Sequence, residues 1–156
     1  MHKKDISSLV KNEICDSPSG NNAKFIPLND RWAIKVFDYS QERDIAYYWQ
    51  KKAAFYGLAP NVGGKIDLED GEYRWGYVTE IIEPLVPHEK MKGRNNWAAI
   101  WPIHAEWEDE IKQCCVDLLD IGVDVWSDIH AGNFGQKDGK VLCLDFGHCS
   151  SNIDES

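Results

Sequence analysis

Residues 127–147 read S-D-I-H-A-G-N-F-G-Q-K-D-G-K-V-L-C-L-D-F-G, and the reading of the whole chain turns on their centre. Asp138-Gly139 is a two-residue hairpin signal, because both residues tolerate the positive φ that a type I′ turn requires. Residues 133–136 and 140–144 then form the flanking strands. With Asp138 and Gly139 as the loop, positions pair symmetrically about it, so Asn133 stands opposite Leu144 and beside Asp145. A carboxamide and a carboxylate meet at the open end of one hairpin, roughly 4.5 to 8 Å apart by cross-strand and diagonal spacing. Oxygen donors so placed can share a hard cation such as Mg²⁺. Asp128, five positions before Asn133, lies on the loop that leads in. An ordinary surface hairpin carries the same loop-forming residues, so the motif takes its meaning from the rest of the chain.

Upstream, residues 104–121 form the clearest predicted helix, with an apolar stripe of Trp107, Ile111, Cys114, Cys115, Leu118 and Leu119 ended by Gly122. That stripe is expected to pack against the hairpin. Residues 84–102 are polar and punctuated by proline, but Trp97, Ile100 and Trp101 at one-turn spacing predict a short buried helix. Residues 65–68 and 72–82 predict a second hairpin around Glu69-Asp70-Gly71, its long strand ending in Thr79-Glu80-Ile81-Ile82. Residues 40–56 predict an amphipathic helix with Ile45, Tyr48, Trp49, Ala53 and Tyr56 inward, Ser40 as N-cap and Gly57 as the stop. Residues 25–28 and 32–37 predict a further pair joined by Asn29-Asp30. Within W-A-I-K-V-F, alternation puts Ala33, Lys35 and Phe37 on one face. An ammonium on such an apolar strand needs an anionic partner, unless Lys35 is an edge lysine that deters aggregation. Residues 15–24 form a Pro/Gly/Ser/Asn loop around Gly20. A strand-rich first half followed by helix and hairpin is an α+β pattern.

A chain of 156 residues makes one domain, or two small lobes sharing a cleft. Its net charge of -9, with no Lys/Arg run longer than a pair, argues against nucleic acid as a partner, whereas a nucleotide bound through Mg²⁺ remains compatible. Five cysteines without C-x-x-C read as core residues in a reducing compartment. With no apolar run near 18 residues, no membrane partner and a cytoplasmic location are expected.

Taken in order, Lys35 in W-A-I-K, a helical acid, the strand ending at Thr79-Glu80-Ile81-Ile82, Asp128, Asn133 and the D-F-G of Asp145, Phe146 and Gly147 resemble the protein-kinase-like fold. D-I-H-A-G-N is most similar to the aminoglycoside phosphotransferase, choline kinase and RIO kinase branch. The resemblance spans residues 25–147. It implies a two-lobed α+β protein, with a β-rich N-lobe at 1–83 and a truncated helical C-lobe at 84–156. It implies a kinase that uses ATP and Mg²⁺ to move the γ-phosphate to a hydroxyl acceptor on a protein or a small molecule. The alternative within the same fold is an inactive nucleotide-binding or inhibitory module.

By that resemblance Lys35 holds the α- and β-phosphates and is oriented by an ion pair with Glu42, while Asp44, about 200° round the helix, is the less favoured partner. Asn133 and Asp145 bind Mg²⁺, Asp128 is the catalytic base, and His130 lies near the γ-phosphate. Gly20 covers the phosphates, Thr79 is the gatekeeper, and Glu80 and Ile82 offer backbone groups to adenine, so that their side chains matter little. No G-x-G-x-x-G precedes Lys35, and Trp126 stands where the family often has histidine. Nine residues, 148–156, follow Gly147. The expected C-lobe is therefore truncated, with Trp97, Trp101 and Trp107 covering its apolar surface within the monomer rather than meeting a homodimer mate or a host protein.

Overall fold

The computed structural model describes residues 15–16, 24–68, 74–90, 97–126 and 129–153. The Gly20 loop, the 69–71 turn and Asp128 lie outside them. Among the described residues, three α-helices and two antiparallel sheets make a mixed α+β architecture. No helix among them is long and apolar enough to cross a membrane.

The first sheet holds β1 (Cys15–Asp16), β2 (Lys24–Pro27), β3 (Trp32–Phe37), β4 (Val62–Asp67) and β5 (Trp75–Glu80), in the order β1-β2-β3-β5-β4. The Asn29 side chain closes the β2–β3 turn, its Oδ1 accepting the amides of Arg31 and Trp32 at 2.8 Å. β4 starts three residues earlier than expected, because the register slips between Val62 and Lys65 through a bulge at Gly63 and Gly64. A Cβ on Gly63 would lie 2.8 Å from the Val78 Cβ, which is why glycine is needed there. β3 is central, with β2 on one side and β5 on the other. Lys35 is therefore not an edge lysine.

Helix α1 (Ser40–Phe55) buries Arg43, Ala46, Trp49, Gln50 and Ala53. Trp49 and Ala53 were expected there; the half-exposed Tyr56 was not expected to face out. The inner stripe is more polar than the apolar spacing predicts, since Arg43 and Gln50 find hydrogen-bond partners in the sheet. Ser40 is the first helical residue rather than the cap. Tyr39 stands at the cap position and makes no side-chain bond to the helix. Gly57 ends the helix as expected at φ +73°, where the Leu58 amide reaches back 3.0 Å to the Ala53 carbonyl.

The second sheet holds β6 (Glu83–Pro84), β7 (Phe134–Lys137) and β8 (Lys140–Cys143). The β7–β8 turn has the predicted form, with φ of 54° at Asp138 and 82° at Gly139. Phe134 pairs with Cys143, and the Leu144 amide donates to the Asn133 carbonyl at 2.8 Å, so Asn133 stands opposite Leu144 as its distance from the turn requires. β6 approaches so closely that a Cβ on Gly135 would lie 2.6 Å from the Glu83 carbonyl oxygen.

Both helices expected here are present, as α2 (Trp97–Glu106) and α3 (Glu108–Asp120), but the break falls at Trp107 rather than before residue 104. Trp107 leaves helical geometry at φ -107° and ψ 14°. The acids Glu108, Asp109 and Glu110 then sit in a fresh first turn, where they complement the helix dipole. α3 buries Ile111, Cys114, Cys115 and Leu118 against β8, as the stripe predicts, while Leu119 is half exposed. Burial pushes the thiols of Cys114 and Cys149 up to about 12 and that of Cys115 to about 11, so at neutral pH they are protonated packing groups.

The tryptophans correct the expectation of burial. Ile100 is buried, but Trp97 and Trp101 are 46% and 50% exposed. Their rings stack on each other with centroids 5.6 Å apart, so each finds an aromatic neighbour outside the core. Trp107 is partly buried against the main core cluster.

Candidate functional site

Lys35 of β3 meets the residue that follows β8. The Lys35 side chain is 3% exposed, and its Nζ donates to the Leu144 carbonyl at 3.2 Å. Burial pushes the Lys35 ammonium below its ordinary value, while the charge of Asp145 opposes that shift. The Asp145 Oδ1 accepts the Gly147 amide at 2.9 Å, so the aspartate's own loop holds the carboxylate in place. Asn133 and Asp145 are 2% and 4% exposed. The structure thus gathers Lys35, Asn133 and Asp145.

Glu42 is half-buried on the first turn of α1, and among the described residues no ion pair joins it to Lys35. Asp44 is engaged elsewhere, with Arg43 at 2.7 Å and Lys65 at 3.0 Å. Arg43 also reaches Asp67 at 2.8 Å and the Gly76 carbonyl at 3.2 Å, so these charges tie α1 to β4 and β5.

His130 precedes the single helical turn Ala131–Asn133. Its Nδ1 accepts the Gly132 amide at 3.1 Å, which leaves the proton of the neutral ring on Nε2. The ring stands edge-on to Trp97, with centroids 5.1 Å apart. The stacked tryptophans therefore border the loop that carries His130.

The residues that sequence reasoning missed lie behind Lys35. The Tyr77 hydroxyl donates to Gln50 Oε1 at 2.7 Å, and Gln50 Nε2 donates to Thr79 Oγ1 at 2.8 Å and the Pro60 carbonyl at 3.0 Å. Burial, then the charge of Asp145, raises Tyr77 well above the usual tyrosine value and keeps it a proton donor. Thr79 is thus fixed by α1. The signal available in the sequence was Gln50 lying in register with Arg43, Ala46 and Ala53.

Beyond the backbone role expected for it, Glu80 makes a structural tie through its side chain. It is 7% exposed, bonds Lys137 at 2.8 Å, and accepts from the Asn61 amide and side chain at 3.3 Å. Its own amide is already given to the Asn61 carbonyl at 2.8 Å. Ile82 is buried against Gly135. The Glu80–Lys137 pair joins β5 to the tip of β7.

Burial alone would raise Glu80, but the bonds from Lys137 and Asn61 outweigh it and hold the carboxyl below its ordinary 4.5. A folded value below the unfolded one stabilises the protein above the unfolded value, and that contribution is lost as pH falls through the folded value. Lys137→Ala should therefore cost about 1 kcal/mol at neutral pH, allowing for the half-exposed lysine. Urea midpoints of wild type and variant should converge in acid. Equal stability at neutral pH would remove this tie from the account.

Among the described residues no three His, Cys, Asp or Glu side chains converge as a metal cluster. Asn133, whose carbonyl accepts the Leu144 amide, and Asp145, the next residue, are both nearly buried, and their carboxamide and carboxylate are the oxygen chemistry that suits a hard cation. No protein-family model matches this chain, and neither does any curated protein.

Proposed function

We propose that the protein is a kinase-like phosphotransferase that uses ATP and Mg²⁺ to phosphorylate a hydroxyl acceptor, on a protein in preference to a small molecule. The observation that carries this reading is the meeting of Lys35, from the central strand of one sheet, with Asn133 and Asp145 at the open end of the β7–β8 hairpin. In this reading the first sheet with α1 is one lobe, residues 84–156 are the other, and the nucleotide lies between them.

The Lys35 ammonium holds the α- and β-phosphates, exchanging its bond to the Leu144 carbonyl for phosphate oxygens. Asn133 and Asp145 hold Mg²⁺, which when bound neutralises phosphate charge. Asp128 takes the proton of the acceptor hydroxyl as its oxygen bonds to the γ-phosphorus and the bond to the β-phosphate oxygen breaks, leaving ADP. His130 stays beside the transferred group, its orientation set by the Gly132 amide.

A second reading, a nucleotide-binding or inhibitory module without turnover, is favoured by one observation. Lys35 bonds a backbone carbonyl rather than Glu42. Labelled ATP and Mg²⁺, offered with lysate proteins and small alcohols, separate the two. Transfer that is lost in Asp128→Ala supports the enzyme. Thermal stabilisation by ATP and Mg²⁺ without transfer supports the binding module, and no stabilisation rejects both.

A further inference from the structure

A cavity of about 710 Å³ lies on the flank of α1 that faces away from Arg43 and Gln50, against the start of β4. Several of its polar groups are already engaged. Lys65 pairs with Asp44 at 3.0 Å, the Tyr47 hydroxyl donates to the Gly63 carbonyl at 3.0 Å, and the Asn61 side chain is bonded to Glu80. Lys51 and Lys52 differ, for among the described residues no carboxylate lies within 4.0 Å of either ammonium.

Both ammonium groups are held over aromatic rings, Lys51 at 5.7 Å from the Tyr47 centroid and Lys52 at 5.6 Å from that of Trp49. Beside them, Phe55 is 83% exposed and packs edge-on against the half-exposed Tyr56 at 5.1 Å. The side chains of Lys51 and Lys52 and two uncovered rings therefore line one concavity, the Lys52 ammonium resting over Trp49 near Gly122, and its volume falls in the range of small-ligand sites.

We propose that this cavity binds a small anionic molecule with an aromatic or other apolar body, its negative group meeting Lys51 and Lys52 and its body lying on Phe55 and Tyr56. The charges ask for one or two negative groups on a compact molecule. A nucleic acid would need a longer basic track and would meet the repulsion of the acidic chain. The site is separate from the one that gathers Lys35, Asn133 and Asp145 and does not rest on the phosphotransferase reading.

Naphthyl phosphate is a suitable probe, titrated into the full chain while amide chemical shifts and the heat of binding are recorded. Saturable shifts at residues 47–56 are expected, with neutral naphthol binding about tenfold more weakly or worse. The double variant Lys51→Gln/Lys52→Gln should lose about tenfold or more in affinity, and Phe55→Ser should weaken binding with the fold intact by circular dichroism. Asp145→Asn should bind the probe as wild type does. Shifts absent from α1, undiminished affinity in the double variant, or loss of binding in Asp145→Asn would each overturn the proposal. So would a response to an acidic peptide with none to naphthyl phosphate.

Discussion

On the phosphotransferase reading proposed above, Asp145→Asn should abolish the thermal stabilisation expected from ATP and Mg²⁺ and lower phosphate transfer by about a thousandfold or more. The substitution keeps the shape of the side chain, and the remaining carbonyl oxygen can still accept the Gly147 amide. It removes the negative charge that opposes the desolvation of Lys35 and a carboxylate on the residue after Leu144, the backbone partner of Asn133. Because Lys35 keeps its bond to the Leu144 carbonyl, the variant should still fold, and the decisive readout is the ligand-induced shift rather than the melting temperature itself. A variant that retained both the shift and the transfer would remove Asp145 from the proposed site.

The neighbouring residue should behave in the opposite way. Phe146→Ala is expected to lower the unfolding free energy by about 3–5 kcal/mol, read from urea denaturation. Its ring is fully buried in the core cluster that includes Phe134, Ile111 and Leu118, and truncation leaves a cavity that their backbones cannot fill by collapse. A domain of this size is typically stable by about 5–15 kcal/mol, so the loss is a large fraction of the total. A cost below about 1 kcal/mol would show that the ring does not support the core in this way. Adjacent positions thus separate the two demands on the segment after β8, with charge at one and packing at the next.

Much of this site was legible before any tertiary information. The Asp138-Gly139 turn specifies its own geometry, since a two-residue loop with both φ positive leaves one register, and the pairing of Phe134 with Cys143 follows. Alternation in β3 put Lys35 on a face with Ala33 and Phe37, and Gly57 marked the exit from α1. Local patterns failed where a polar residue is buried because a distant partner awaits it. Arg43 is carried inward by the Asp67 carboxylate and the Gly76 carbonyl, and Gln50 by Tyr77 and Thr79, so an apolar stripe could not reveal the inner face of α1. Glu80 looked like a residue valued only for its backbone, and the lysine that holds it lies 57 positions away. The tryptophans show the converse: Trp97 and Trp101 have helical spacing, yet they cover each other and stay half exposed.

The sequence by itself determined what is decided within a few residues: the turn, the strand alternation, the helix stop, and therefore the placing of Asn133 next to Asp145. Those follow from steric limits on φ and from side-chain period, which act locally. Only the tertiary structure decided that Lys35 crosses to the Leu144 carbonyl, that Glu42 makes no ion pair to it, and that Lys51 and Lys52 line a cavity without pairing to a carboxylate among the described residues. Such pairings depend on which surfaces meet when the sheets and α1 close on their cores, because the energy of a buried charge is set by its neighbours in space rather than in the chain.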